Sequence, residues 1–237
     1  MEARHYSISD EIFARFPNYV RGVVIARGVA NRESPPELVA MLREAEASVR
    51  ERVKPEELTS HPRIASWREA FKSLGVKPNE FRSSVEAMAR RALKGQELPS
   101  ISALVDIGNV LSLRHLVPMG GHAIDLLAGD IALRPATGEE TFVPFGSSDS
   151  ERPNPGEIIF AEGDIVLTRR WSWRQANHTL TLPTTTAIEY NVDGLPPVTE
   201  ADARAICAEV MEMVTTFCGG QVRQEMLTRD NPRIRLD

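Results

Sequence analysis

Cysteine is nearly missing from this chain, which carries two among 237 residues, Cys207 and Cys218. Both fall on what reads as one helix, roughly three turns apart along its axis, so they cannot bridge each other. That excludes a disulfide scaffold and points to a reducing compartment. Long apolar runs are missing too. None approaches the ~20 residues needed to cross a bilayer, and the amino terminus, with Glu2, Arg4 and His5, lacks the apolar stretch of a signal peptide. The expectation is a soluble cytoplasmic protein without a membrane partner. No Gly-x-Ser-x-Gly elbow, phosphate loop or dinucleotide glycine pattern occurs, which argues against those hydrolase and nucleotide-binding families. No cofactor is expected. Lysine is scarce, four against 24 arginines, which suits forked recognition of phosphate or carboxylate and fits codon bias equally well. A net charge of −5 excludes a uniformly basic coat for nucleic acid but leaves room for a local basic patch. No DNA partner is expected.

What is present suits a core of ordinary size, since 42% of the residues are hydrophobic and the length fits one large α+β unit. Tyr19 to Ala26 is a short apolar run suited to a buried strand. Ser34-Pro35-Pro36-Glu37 and Ser83-Ser84-Val85-Glu86 both carry the capping-box pattern ahead of apolar residues at helical spacing. Between them, Ile64 to Leu74 predicts a helix with Trp67 and Phe71 on its core face. Ser102 to Val105 reads as a strand end, and Ile107 to Leu116 as a short helix or irregular turn. Glu157 to Phe160 and Asp164 to Leu167 flank Gly163 as a hairpin, and Thr184 to Val192 reads as a strand. Thr199 caps a last helix that ends at Gly219-Gly220, and the polar tail from Thr228 is either loose or packed as an arm. These elements predict a single α+β domain over 1–237, with a mixed or mainly antiparallel sheet and helices packed on it.

Chemistry concentrates between Val105 and Asp125. Val105-Asp106-Ile107-Gly108-Asn109 and Gly120-Gly121-His122-Ala123-Ile124-Asp125 bring an amide, an imidazole and a carboxylate close to two glycines, read as loop residues. Glycine lets backbone approach a ligand, and a neutral imidazole handles protons near pH 7. Each residue also has a structural alternative: His122 satisfying buried carbonyls, Asn109 capping a turn, Asp125 fixing a loop rather than orienting His122. Arg169, Arg170, Trp171, Trp173 and Arg174 interleave guanidinium groups and rings, a composition suited to phosphates and stacked bases. On a strand, alternation sends both tryptophans to one face. Arg90 and Arg91 either complement a helix dipole or meet RNA. His115, His122 and His178 fit no compact metal-ligand spacing, so no metal is expected.

The succession Arg90-Arg91, Leu98-Pro99, Val105-Asp106, Asn109, Leu111, Leu113, Pro118 and His122-Ala123-Ile124-Asp125 resembles the B3/B4 editing domain of the bacterial phenylalanyl-tRNA synthetase β subunit. The likeness covers about residues 80–195 and is strongest from Leu98 to Asp125. On this resemblance 80–195 forms the editing core, 1–79 supplies a strand and helices packed on it, and 199–220 is a carboxy-terminal helix. It implies a pocket that hydrolyses the ester joining a wrong amino acid to the terminal adenosine of tRNA. His122 and Asn109 match the family's site histidine and asparagine, and Glu189 matches a strand glutamate that recognises the amino acid. The segment Arg170 to Arg174 is similar to one in free-standing relatives, and nothing resembles the aminoacylation core, which implies action in trans. The family's glycine-rich strand turn opposite the histidine is missing where Arg169 to Arg174 stand.

An aminoacyl ester is already activated, so a positioned water and stabilisation of the carbonyl oxygen suffice. In this reading His122 orients or deprotonates the water, while Asn109 and the N–H groups near Gly120 and Gly121 hold the carbonyl or ribose hydroxyls. Glu189 binds the α-ammonium group, Asp125 counts with Glu189, Gly120 and Gly121 among the substrate-binding residues, and Arg169, Arg170 and Arg174 meet the acceptor end of tRNA. A non-catalytic module using the same pocket, for tRNA, an amino acid or a protein, is the alternative. A hydrolase of small free esters or amides is a third class.

Overall fold

The computed structural model describes residues 4–237, so Glu2 of the amino-terminal reading lies outside the described residues. In chain order the elements are β1 (His5–Ile8), α1 (Asp10–Arg15), β2 (Val20–Arg27), α2 (Pro36–Arg52), α3 (Pro62–Ser73), α4 (Ser84–Leu93), α5 (Ala103–His115), β3 (Met119–Ala123), β4 (Ile131–Pro135), β5 (Ile158–Glu162), β6 (Ile165–Arg169), β7 (Arg174–Gln175), β8 (Ala187–Gly194), α6 (Glu200–Cys218), β9 (Gln221–Leu227) and β10 (Arg233–Arg235). The strands form two sheets. One is antiparallel throughout in the order β3-β8-β2-β9, and the other runs β10-β1-β4-β5-β6-β7, with β1 and β4 as its parallel pair.

Period-two alternation on β2 explains the layering. Val20, Val24 and Ala26 pack against α2, α4, α5 and α6, whereas Val23 and Ile25 pack between the two sheets with Tyr6, Ile131 and Phe160. Covered on both faces, this strand reads as an unbroken apolar run. The same alternation on β8 sends Ile188, Tyr190 and Val192 to the helices. Glu189, Asn191 and Asp193 therefore line up on the face turned toward the second sheet, all of them buried.

Several elements depart from the sequence expectation. Ser102 to Val105 is not a strand end, because Ala103 opens α5. The Asp106 carboxylate there accepts from the hydroxyls of Ser34 and Ser100 and from the Ile101 N–H, which fastens two loops to the first turn of the helix. Ser34 is thereby drawn from the cap of α2, which begins after Pro35 with no side-chain cap. Ser83 likewise makes no cap bond, and Glu86 is taken by Arg68 at 2.8 Å and Arg90 at 2.9 Å. At Thr199 the capping box forms, with Asp202. The tail does not hang loose, since β10 pairs with β1. Both cysteines are buried and free on α6.

The segment after β6 is a tight turn, not the alternating strand expected, with Arg170 and Trp171 in the left-handed region at φ 46° and 64°. The turn throws the tryptophans apart. Trp171 is buried against Trp67 and Tyr19, its indole N–H 3.2 Å from the Tyr19 hydroxyl, while half-buried Trp173 stacks edge-on to Phe81.

An acid-sensitive clamp closes the loop after β4. Burial pushes the Glu140 carboxyl up, but the N–H of Thr137, the Arg134 guanidinium and the N–H of Gly138 outweigh it and hold the pKa at about 2. A depressed carboxylate stabilises the fold above its unfolded value near 4.5 and loses that contribution as pH falls toward 2. The difference corresponds to about 3 kcal/mol. Urea unfolding between pH 5 and 2 is expected to show a shallower acid limb in Glu140→Gln than in the wild type.

Candidate active site

Three strands from two sheets meet at His122. It sits on β3 opposite Glu189 of β8, and adjacent antiparallel strands place directly opposed side chains on the same face. Glu189 is wholly buried, and its Oε1 lies 2.5 Å from His122 Nδ1. The other ring nitrogen, Nε2, lies 3.1 Å from Thr168 Oγ1 on β6 of the second sheet. Thr168 reaches this position through a β-bulge: Val166 opposes Ala161 and Thr168 opposes Phe160, leaving Leu167 as the extra residue. Regular pairing would have turned Thr168 away; the bulge aims it at the histidine.

The imidazole is 2% exposed yet lines a cavity of about 160 Å³, together with Thr168, Trp173, Arg174, Asn191 and Asp193. A buried polar cluster stands behind that wall. Arg21 Nε and Nη2 donate to the two Asp193 oxygens at 2.8 and 2.6 Å, its guanidinium lies 3.9 Å from the Phe160 ring centre, and Tyr6 and Tyr19 complete the cluster with their hydroxyls. Burial pushes both phenols well above their ordinary pKa, so each keeps its proton.

Gly120 and Gly121 belong to β3, not to a loop. A Cβ on Gly121 would stand 2.8 Å from Ile188 Cδ1 and 2.9 Å from the Glu189 carbonyl oxygen, so only glycine lets β3 lie this close to β8. Gly120 has ordinary clearance, 3.6 Å to Asn191. Gly121→Ala is expected to lower stability by about 1–3 kcal/mol and to separate His122 from Glu189, while Gly120→Ala is nearly neutral. Urea unfolding of the two variants checks this.

The remaining expected residues fall into different places. Asn109, on α5, lines a second cavity of about 160 Å³ with Gly108, Gln175 and Tyr190, on the far side of the glycine pair from His122. It also reaches a wider surface groove beside α4. The expectation of amide and imidazole side by side is corrected: two adjoining cavities share Met119, Gly120, Gly121 and Gln175 as their common wall. Asp125 is engaged elsewhere, accepting from the Thr186 N–H at 2.7 Å and hydroxyl at 3.0 Å, so it holds a loop and lines neither cavity. Glu189 grips the imidazole instead of facing the cavity as an ammonium ligand.

Arg169 is 5% exposed and forked onto Glu157 at 2.7 and 2.8 Å, with Glu151 also at 2.8 Å. The Arg170 guanidinium lies 3.7 Å from the ring centre of Phe81 and 4.5 Å from that of Trp173. These two arginines serve the fold, and Arg174 alone of the three lines the cavity. Each of the three histidines weighed as metal ligands takes a different carboxylate, His115 with Glu209, His122 with Glu189 and His178 with Glu162. Sequence reasoning missed Thr168, Arg21, Asn191 and Asp193. The polar residues at every second position of β8 were a signal in plain view, whereas nothing in the local sequence announces the bulge that turns Thr168.

The family model of the B3/4 domain matches residues 66–218. The chain belongs to the B3/4 domain family. Among solved structures, an N-terminal fragment of the phenylalanyl-tRNA synthetase beta-subunit from Pyrococcus horikoshii aligns with a TM-score of 0.46 and 10% identity. The alignment covers 94% of this B3/4 chain and 51% of that one, so the chain spans about half its length. A search of curated proteins found no match. No helix among the described residues is long and apolar enough to cross a membrane.

Proposed function

We propose that this B3/4 protein hydrolyses the ester linking an amino acid to the terminal adenosine of tRNA. The observation that carries the reading is a histidine fixed by a buried carboxylate at one ring nitrogen and turned with the other toward a small cavity. Glu189 acts as a positioning residue: accepting from Nδ1–H, it leaves the Nε2 lone pair as the base. Proton transfer by such a group contributes about 10²–10⁴-fold to a reaction of this kind. Family membership and the motif from Leu98 to Asp125 support an aminoacyl ester as the substrate. In this assignment the cavity at His122 takes the acyl group and its ester. The adjoining cavity, with Asn109 and the backbone of Gly120 and Gly121, takes the ribose and base.

Arg169 and Arg170 are committed internally, so the acceptor end has a better seat in the groove beside α4. That groove has a volume of about 600 Å³ and is walled by Arg82, Arg90, Arg91 and Lys94 over Met88 and Leu98, with Asn109 at the edge it shares with the second cavity. Cations over an apolar floor suit phosphates and a terminal base. The double variant Arg91→Glu/Lys94→Glu is expected to weaken tRNA binding at least ~10-fold at low salt and to flatten its salt dependence. Filter binding at several salt concentrations measures both.

The function is tested by incubating the protein with a panel of mischarged tRNAs and following ester loss for wild type and His122→Ala. Turnover of at least one species, lost in the variant while tRNA binding persists, supports the reading. Binding without turnover across the panel favours a non-catalytic module, and cleavage only of esters lacking RNA favours a small-ester hydrolase.

A further inference from the structure

The proposed ester hydrolysis needs an acyl acceptor, and a hydroxyl already stands against the base. When Glu189 is ionised it has no proton to give, so the hydrogen between it and His122 belongs to Nδ1. A neutral imidazole then carries a bare lone pair on Nε2, and the group facing that lone pair is Thr168 Oγ1 at 3.1 Å. The threonine hydroxyl is therefore the donor, with its proton directed at the base and its oxygen lone pairs free. Thr168 lines the same cavity as His122, so an ester bound there meets that oxygen.

Three further features favour this assignment. The relay is carried by three strands, β6, β3 and β8, so its geometry is fixed by both sheets and not by a loop. The bulge in β6 serves to bring Thr168 onto the face of Phe160, which is the face of His122. The second oxygen of Glu189 is buried with no hydrogen-bond partner among the described residues. The close contact of that carboxylate is with the ring, at 2.5 Å, which fixes the orientation of the imidazole.

We propose that Thr168 is a nucleophile and carries the acyl group between the substrate and water; this rests on the reading of the site as an ester hydrolase. As Thr168 Oγ1 bonds to the carbonyl carbon, its proton passes to His122 Nε2. Collapse of the tetrahedral adduct breaks the bond from that carbon to the ribose oxygen, which takes the proton from Nε2 and leaves as a hydroxyl. A water then gives one proton to Nε2 and its oxygen to the acyl carbon. The bond to Thr168 breaks, Oγ1 recovers the proton, and the amino acid departs with a free carboxyl group. Nucleophile, base and orienting carboxylate are thus the roles of Thr168, His122 and Glu189.

The test uses p-nitrophenyl acetate as the probe, with an acid quench, whole-protein mass and peptide mapping. Wild type is expected to release a burst of about one p-nitrophenolate per protein and to carry one acetyl group on the peptide holding Thr168. Thr168→Ser is expected to keep the label, whereas Thr168→Val, with its fold checked by thermal unfolding, is expected to lose both burst and label. On mischarged tRNA, Thr168→Val is expected to fall at least ~100-fold. Acetyl found on another residue or on none, or Thr168→Val cleaving mischarged tRNA at the wild-type rate, overturns the proposal. The two readings fail separately. Cleavage of mischarged tRNA that survives Thr168→Val removes the nucleophile and leaves the deacylase, while an acetylated Thr168 in a protein that cleaves no mischarged tRNA removes the deacylase and leaves the nucleophile.

Discussion

Glu189→Gln is expected to lower the rate of ester cleavage by about 10²–10⁴-fold with little change in KM. The substitution preserves size, so the packing between the sheets stays intact. What changes is the proton on the ring. A glutamine amide turned toward Nδ1 donates to it, which shifts the imidazole hydrogen to Nε2 and removes the lone pair that takes the proton from the attacking group. Steady-state rates on a cleaved mischarged tRNA, with binding measured separately, distinguish this from the other role considered for Glu189. Were its carboxylate the ligand of the substrate ammonium group, KM would rise while kcat held.

The largest expected effect on stability comes from the neighbouring pair. Arg21 and Asp193 are each 1% exposed and satisfy one another through two hydrogen bonds. Arg21→Met leaves the carboxylate buried without its counter-charge, and breaking such a pair from one side removes roughly 3–5 kcal/mol. For a chain of this size that is a fall in Tm of about 10 °C, read by thermal unfolding. Removing both charges, as in Arg21→Met with Asp193→Leu, is expected to recover much of the loss, because apolar packing substitutes for a buried ion pair with little net change. A double variant as unstable as the single one would mean that the guanidinium acts through its stacking on Phe160, 3.9 Å away, more than through charge.

Much of the frame is legible in the sequence because its signals are local. The run over Tyr19 to Ala26, the hairpin at Gly163 and the cap at Thr199 each carry their own turn or period, and the structure has β2, the β5/β6 hairpin and α6 in those places. The misreadings arise where a distant partner overrides a local pattern. Ser34 and Glu86 have the residue types of a capping box, but Asp106, Arg68 and Arg90 bind them first. The run Arg169 to Arg174 looks like an RNA-binding strand until Glu157 and Glu151 take Arg169 and a left-handed pair bends the chain.

The site shows the same division. His122 is legible from its motif, and Glu189 from its place in a strand, but their contact depends on the register of β3 against β8. Gly120 and Gly121 look like loop residues because glycine pairs usually are. Here the close approach of two strands requires the second of them. Thr168 leaves no trace in the sequence, since a bulge places it and a bulge is a property of two paired strands. Arg21 was hidden in the apolar run of β2, where its pairing with Asp193 makes it tolerable.

The most direct test of the account is the single-turnover rate of ester cleavage on mischarged tRNA with protein in excess, compared for wild type and His122→Gln. A rate that falls at least ~100-fold in the variant, with tRNA binding and thermal stability retained, is the predicted result. Equal rates in the two proteins, or no cleavage of any mischarged tRNA by wild type, would contradict it.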